Sequence, residues 1–257
     1  MQVTKYDVYT KKLSMPLKIA CVSDVHGRKV PRAIEAVRAI SPDVILLAGD
    51  ILEISAEYMK ERNENAMVFL KEMVAIAPTY YCFGNHEIYF SHAKRGQSRV
   101  SDQAILKDHI TKIEKLGVHI VNDSFENCTD EVSIGGVVCG YDKDPDDERN
   151  SPCKNALDCF DLQENFKILL CHYPHYYEQY LKKSGFDLIL SGHAHGGQWR
   201  IFGRGVYAPH QGLFPKYTAG IYDGRHIINR GAANNVFPIP RFFNPCEILQ
   251  INVYPKN

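Results

Sequence analysis

Five short apolar runs, each broken off by a glycine or a polar residue, constrain this chain more than anything else in it. They are LKIACVS (17–23), DVILLAG (43–49), TYYCFG (79–84), FKILLC (166–171) and DLILSG (187–192). Runs this short and this uniformly apolar read as strands buried on both faces. Between the early ones the apolar positions change to helical spacing. Ala33, Ile34, Val37 and Ile40 form one face; Ala66, Phe69, Leu70 and Met73 form another. Ile105, Leu106, Ile110, Ile113 and Leu116 form a third, with Gly117 in the helix-stopping position. Strand and helix alternate, which predicts an α/β architecture. After Gln198 come closely spaced strand candidates, QWRIF (198–202), YTAGIY (217–222), RHIINR (225–230) and EILQINV (247–253), which predict a second, largely antiparallel sheet. No repeat, low-complexity tract or linker divides the chain, so residues 1–257 are expected to form one domain.

Composition excludes some functions. Lys plus Arg and Asp plus Glu both number 30, so no global field draws the chain to nucleic acid or an anionic membrane, which leaves room only for a small basic site. The N-terminus lacks the basic-then-apolar order of a signal peptide, and no apolar run approaches the ~20 residues of a membrane span. A soluble, cytoplasmic protein is expected. Cys21, Cys82, Cys139 and Cys171 sit inside apolar runs and the eight cysteines form no C-x-x-C pair, as suits reduced core thiols.

The residues just past each strand carry the chemistry. Asp24 and His26 come after the first, Asp50 after the second, Asn85 and His86 after the third, His172 after the fourth, and His193 and His195 after the fifth. Sites in α/β sheets form beyond the carboxyl ends of strands, so five separate runs deliver ligand-type side chains to one edge. Carboxylates, a carboxamide and imidazoles favour Mn, Fe or Zn over the oxygen-seeking Mg and Ca. Asp50 is the natural bridge, because a carboxylate can span two ions roughly 3.5–4 Å apart. His193 and His195 are one residue apart and point to opposite sides of an extended chain. The glycines around them permit a turn, so that each histidine faces a different ion.

The blocks SDVHGR, AGDILE, FGNHE, LLCHYP and SGHAHGG resemble, in order, those of the calcineurin-like metallophosphoesterase superfamily, from residue 23 to residue 197. The tail, with GGQWRIFGRGVYAPHQG, INRGAANN and PIPRFFNPCEI, resembles its YaeI-like bacterial phosphodiesterase branch. The resemblance implies a four-layer sandwich of two mixed β-sheets flanked by helices. It further implies that Asp24, His26 and His195 hold one divalent or trivalent metal ion, that Asn85, His172 and His193 hold a second, and that Asp50 bridges them. His86 is then a non-ligand that contacts the phosphate or protonates the leaving oxygen. The implied activity is hydrolysis of a phosphodiester substrate, with a hydroxide shared by the ions attacking phosphorus in line. A phosphomonoesterase and a non-catalytic scaffold are the alternatives, and the presence of His86 weighs against the scaffold.

Other positions are less decided. Glu53 stands where related phosphatases carry an aspartate that orients the catalytic histidine, and it reads either as a partner of His86 or as a solvated glutamate. Ile54 and Ser55 replace the Asp-Arg-Gly continuation of the phosphoserine-type phosphatases, which argues against that activity. Arg28 reads either as a phosphate contact or as a surface arginine. Tyr173, Tyr176, Tyr177 and Tyr180 suit a packed helix face. The acidic run at 142–149 reads as a solvated loop in preference to a lid over the metals. His92, His109, His119, His175, His210 and His226 fit no ligand block. Substrate choice is expected from the loops at 91–102, 142–161 and 206–217, and the apolar stretch VFPIPRFF at 236–243 reads either as a hint of a lipid-like or membrane-surface substrate or, as Pro-spaced apolar residues usually do, as a cap on a core.

Overall fold

All five apolar runs become strands, and they divide between two sheets. In chain order the elements begin with β1 (Gln2–Thr10), β2 (Leu17–Val22), α1 (Pro31–Ile40), β3 (Val44–Ala48), α2 (Lys60–Val74), β4 (Thr79–Cys82) and α3 (Asn85–Ile88). There follow α4 (Val100–Lys115), β5 (Val118–Ile120), β6 (Ser124–Asn127), β7 (Val132–Val137), α5 (Lys154–Asp161), β8 (Phe166–Cys171) and β9 (Leu188–Ser191). The last part holds the hairpins β10 (Arg200–Ile201) with β11 (Arg204–Gly205) and β12 (Tyr207–Ala208) with β13 (Gly212–Leu213), then β14 (Gly220–Tyr222), β15 (His226–Ile228) and β16 (Glu247–Pro255). This computed structural model describes residues 1–53, 60–88, 100–138, 151–234 and 239–256. His92, Cys139, the acidic run at 142–149, most of the 91–102 loop and residues 236–238 lie outside them.

The first sheet has the order β1-β16-β2-β3-β4-β5 and the second β14-β15-β9-β8-β7-β6. Both are mixed. β2 through β5 run parallel and β16 opposes β2; β7, β8, β9 and β15 run parallel, with β6 and β14 antiparallel at the edges. Alternation along the strands assigns the layers. Ile19 and Cys21 face inward with Leu46, Ile168, Leu170 and Leu190, forming the core between the sheets. Ala20 and Val22 face outward with Ile45 and Leu47 onto Val37 of α1 and Phe69 and Leu70 of α2. On the far side, Leu169, Ile189 and Ile228 pack against Phe160 of α5 and Tyr177. Each fully buried Leu, Ile or Val here contributes about 1.5–3 kcal/mol. The four-layer sandwich is thus the observed fold.

α1 starts with Pro31, whose fixed φ suits a first helical residue, and α4 is closed by Gly117 at φ 92°. Tyr173, Tyr176 and Tyr177 are buried as the periodicity predicts, but Tyr180 is exposed. Among the described residues the cysteines are free, with Cys21, Cys82 and Cys171 buried, and no helix is long and apolar enough to cross a membrane.

The expected antiparallel second sheet after Gln198 is not what forms. β14 and β15 extend the sheet that β9 already belongs to, and β15 lies parallel to β9. EILQINV instead crosses to the first sheet and inserts between β1 and β2. Ile248, Leu249, Ile251 and Val253 are all fully buried on its two faces, which a peripheral hairpin cannot provide. β1 carries no apolar run because its alternation is polar, as befits an edge strand.

His226 supplies a test of this packing. Its Nε2 meets Ser191 Oγ at 3.0 Å and its ring stacks on Tyr177 at 4.5 Å. Burial, reinforced by the Arg225 charge, holds the imidazole down at about 3. The unfolded chain takes up this proton near pH 6.5, so its contribution to stability is intact above that pH and declines by ~1.4 kcal/mol per pH unit as the pH falls from there toward 3. The stability advantage of the wild type over His226→Gln should therefore shrink by about 2 kcal/mol between pH 7 and pH 5 in denaturant titrations. An advantage that stays constant contradicts the neutral buried ring.

Candidate metal centre

The carboxyl ends of β2, β3 and β4 and those of β8 and β9 come together at one end of the sandwich, and the ligand-type residues converge there. One donor atom each from Asp24, His26 and His195 lie within 4.8 Å of one another, as do atoms of Asp50, His172 and His193. Asp50 stands between the groups: its Oδ2 is 3.1 Å from His172 Nε2 and 3.8 Å from His26 Nε2. His195 Nε2 is 3.4 Å from Asp24 Oδ1 and 3.3 Å from His26 Nε2. The two histidines of the GHAHGG loop thus divide between the groups.

Backbone geometry makes this division. Asp24, His26, Asp50, His193 and His195 all adopt positive φ, between 47° and 65°, where a non-glycine residue costs about 1–3 kcal/mol. Such positions persist only where the surroundings hold them. Close approach also depends on glycine: a side chain on Gly84 would strike Asp50 Oδ1, and one on Gly49 would strike the His172 ring.

The donors suit cations. His172 Nδ1 donates to the Ala48 carbonyl at 2.7 Å, which turns Nε2 toward Asp50. Burial would depress His172, but the Asp50 carboxylate outweighs it and raises the imidazole to about 10. His193 and His195 are instead held down, chiefly by burial, His195 to about 3. Both therefore keep a lone pair available. Asn85 Oδ1 and His193 Nε2 are buried without a hydrogen-bond partner. Orphaned polar atoms of this kind carry a desolvation cost that a bound cation would offset.

His86 has a different setting. Its backbone N–H donates to Asp50 Oδ1 at 2.9 Å, and its Nδ1 meets Glu53 Oε1 at 2.7 Å. Glu53 Oε2 lies 3.2 Å from His26 Nδ1 and 3.7 Å from Arg62 Nη1. Burial opposes ionisation of Glu53, yet its hydrogen bonds to His26 and His86 lower it to about 2. Burial likewise opposes protonation of His86, yet Asp50 and Glu53 raise it to about 9. Glu53 is thus buried between two imidazoles and is no solvated glutamate. Arg28 is half-buried, with Nε lacking a partner.

Several residues that hold the centre are given no role by the sequence. Glu87, buried, accepts the backbone N–H groups of Asp50 (3.1 Å), Leu52 (2.8 Å) and Gly84 (2.7 Å) and the Tyr81 hydroxyl (2.5 Å), tying two loops together. Arg241 Nη2 donates to His195 Nδ1 at 2.9 Å and to the Ala233 carbonyl at 2.8 Å. Asn244 Nδ2 donates to the His195 carbonyl at 2.7 Å. The His210 ring stacks on that of His193 at 5.3 Å.

Two adjacent groups of potential metal donors, at the carboxyl ends of parallel strands, form a site with room for more than one ion. The profile of the calcineurin-like phosphoesterase family matches residues 17–197, and the chain belongs to that family. It is similar to an uncharacterised metallophosphoesterase of Campylobacter jejuni, 28% identical over 267 residues that cover 99% of this chain and 64% of that protein. It is also similar to the phosphodiesterase YaeI of Escherichia coli, 27% identical over 245 residues that cover 89% of this chain and 79% of that one. The chain spans 64–65% of the length of its Campylobacter and Helicobacter relatives. A dimetal phosphatase from Danio rerio shares the fold at a TM-score of 0.52 and 10% identity, with 84% of this chain and 88% of that one covered.

Proposed function

We propose that the chain is a dinuclear metallophosphodiesterase, with Asp24, His26 and His195 holding one ion, Asn85, His172 and His193 the other, and Asp50 shared between them. The observation that carries this reading is the position of Asp50 Oδ2 between His172 Nε2 and His26 Nε2. When bound, the ions supply an activated water and neutralise charge on the phosphoryl oxygens. The protein's own part is orientation. Ser23 Oγ donates to Asp24 Oδ2 at 2.5 Å and the His193 backbone N–H donates to Asp24 Oδ1 at 3.1 Å, fixing that carboxylate. Glu53 holds His86 through Nδ1, which leaves Nε2 to deliver a proton to the leaving oxygen. The diester preference rests on likeness to the protein named phosphodiesterase YaeI. Reduced thiols at Cys21, Cys82 and Cys171 accord with a cytoplasmic location, and pairing of β16 with β1 and β2 accords with one domain over residues 1–257.

Turnover of bis(4-nitrophenyl) phosphate above that of 4-nitrophenyl phosphate is the expected result for the metal-loaded protein. The reverse order makes it a phosphomonoesterase, and inactivity toward both contradicts the catalytic reading. Metal identity gives a further prediction. With four imidazoles among seven proposed donors, chelator-stripped protein should regain most activity with Mn, Fe(II) or Zn and little with Ca. Equal rescue by Ca contradicts the nitrogen-rich assignment.

A further inference from the structure

Among the described residues, the chain leaving the metal loop exposes an unusual number of aromatic side chains. Phe202, in the turn between β10 and β11, is 101% exposed; Phe214, just after β13, is 70% exposed, and Phe243 is 89% exposed. All three have positive φ, at 49°, 50° and 52°, where a bulky residue is an outlier and glycine or asparagine is the ordinary choice. Turn geometry does not ask for phenylalanine at these points, and the core does not bury it. Tyr207, Leu213 and Phe242, in the same segments of chain, are exposed as well. The charge of the same stretch is one-sided. Residues 195–246 contain six Lys or Arg and a single acidic residue, Asp223; of the six, Arg200, Arg225, Arg230 and Arg241 are half-buried, and Arg230 pairs with Glu247 at 2.7 Å. Arg204 is exposed, as is Lys216, which meets Glu178 at 2.9 Å.

Three rings at separate turn tips make no continuous core of the kind a protein interface requires. A lipid headgroup region accepts individual protruding rings without a matching pocket, and its anionic lipids attract the flanking cations. The surface is joined to the metal centre by hydrogen bonds. Arg241 and Asn244 hold His195, Gln198 Nε2 donates to the Ile239 carbonyl at 2.7 Å, and His210, between β12 and β13, stacks on His193. We propose that the surface formed by residues 199–217 and 239–243 seats the protein on an anionic lipid bilayer, so that the metal centre meets phosphoesters held at that surface. The docking stands on the surface itself; the substrate half rests on the proposed phosphodiesterase function.

The test is co-sedimentation of the whole chain with vesicles of phosphatidylcholine, alone or mixed with phosphatidylglycerol. Binding is expected to the mixed vesicles and to weaken with salt. A combined Phe202→Asn, Phe214→Asn and Phe243→Asn variant keeps residues that tolerate left-handed backbone. It should lose at least about tenfold in partitioning, because apolar area is withdrawn from the interface, while turnover of bis(4-nitrophenyl) phosphate is unchanged. Absence of binding to anionic vesicles, or equal binding by the variant, overturns the proposal. So does a dimer in sedimentation equilibrium that the variant disperses, since the face is then covered by a second copy. Vesicle binding without turnover of the soluble ester leaves the docking standing and refutes the enzymatic reading instead.

Discussion

Replacing Asp50 with alanine is expected to lower turnover by more than about 100-fold, beyond the ~10–100-fold that loss of an outer partner of a metal ligand costs. The reason is geometric. Asp50 Oδ2 stands 3.1 Å from His172 Nε2 and 3.8 Å from His26 Nε2, so in the proposed centre one carboxylate would serve both donor groups, and without it two cations would be poorly shielded from each other. Its Oδ1 also accepts the His86 backbone N–H, so the proposed acid is displaced by the same change. Asp50→Asn keeps the shape while removing the charge, which separates a folding defect from a metal defect. Elemental analysis of both variants should find fewer than two ions per chain. Two ions with near-normal turnover in either variant contradict the shared-ligand role.

His86→Ala is expected to separate chemistry from metal binding. Its Nδ1 is engaged by Glu53 at 2.7 Å and its ring meets His26 edge-on at 4.5 Å, beside the proposed ligands. If His86 donates a proton, its removal should cost about 10²–10⁴-fold with a strongly basic leaving oxygen and far less with nitrophenolate. Metal content should hardly change. kcat/KM across aryl and alkyl phosphodiesters gives the answer: a penalty that grows with leaving-group pKa supports the acid role, and a uniform penalty assigns His86 to holding the phosphate. Loss of an ion in this variant contradicts both and requires the ligand set around Asn85 to be redrawn.

The ligand-type residues are legible because each closes a buried strand, and a buried strand is written as an uninterrupted apolar run. β2, β3, β4, β8 and β9 carry that signature, and Asp24, Asp50, Asn85, His172 and His193 come within three residues of their ends. Strands with weaker local signals are not legible in this way, among them the polar-alternating β1 and the short β6. EILQINV reads as a strand, but its sheet does not, because pairing with β1 across more than 240 residues is a matter of topology and leaves no local trace. The supports of the centre are hidden for the same reason. Glu87 belongs to the FGNHE block, yet nothing in its spacing says that it turns back to accept the Asp50 and Leu52 amides. Arg241 and Asn244 reach His195 from 46 and 49 residues away. Glu53 is open to two readings until the fold brings its two oxygens to two imidazoles.

The dinuclear assignment is tested most directly by anomalous diffraction from crystals of the chain loaded with Mn. Two peaks of comparable height are expected, one among Asp24, His26 and His195 and the other among Asn85, His172 and His193, with the Asp50 carboxylate between them. A single peak, or peaks not joined by Asp50, contradicts the shared centre on which the proposed chemistry depends.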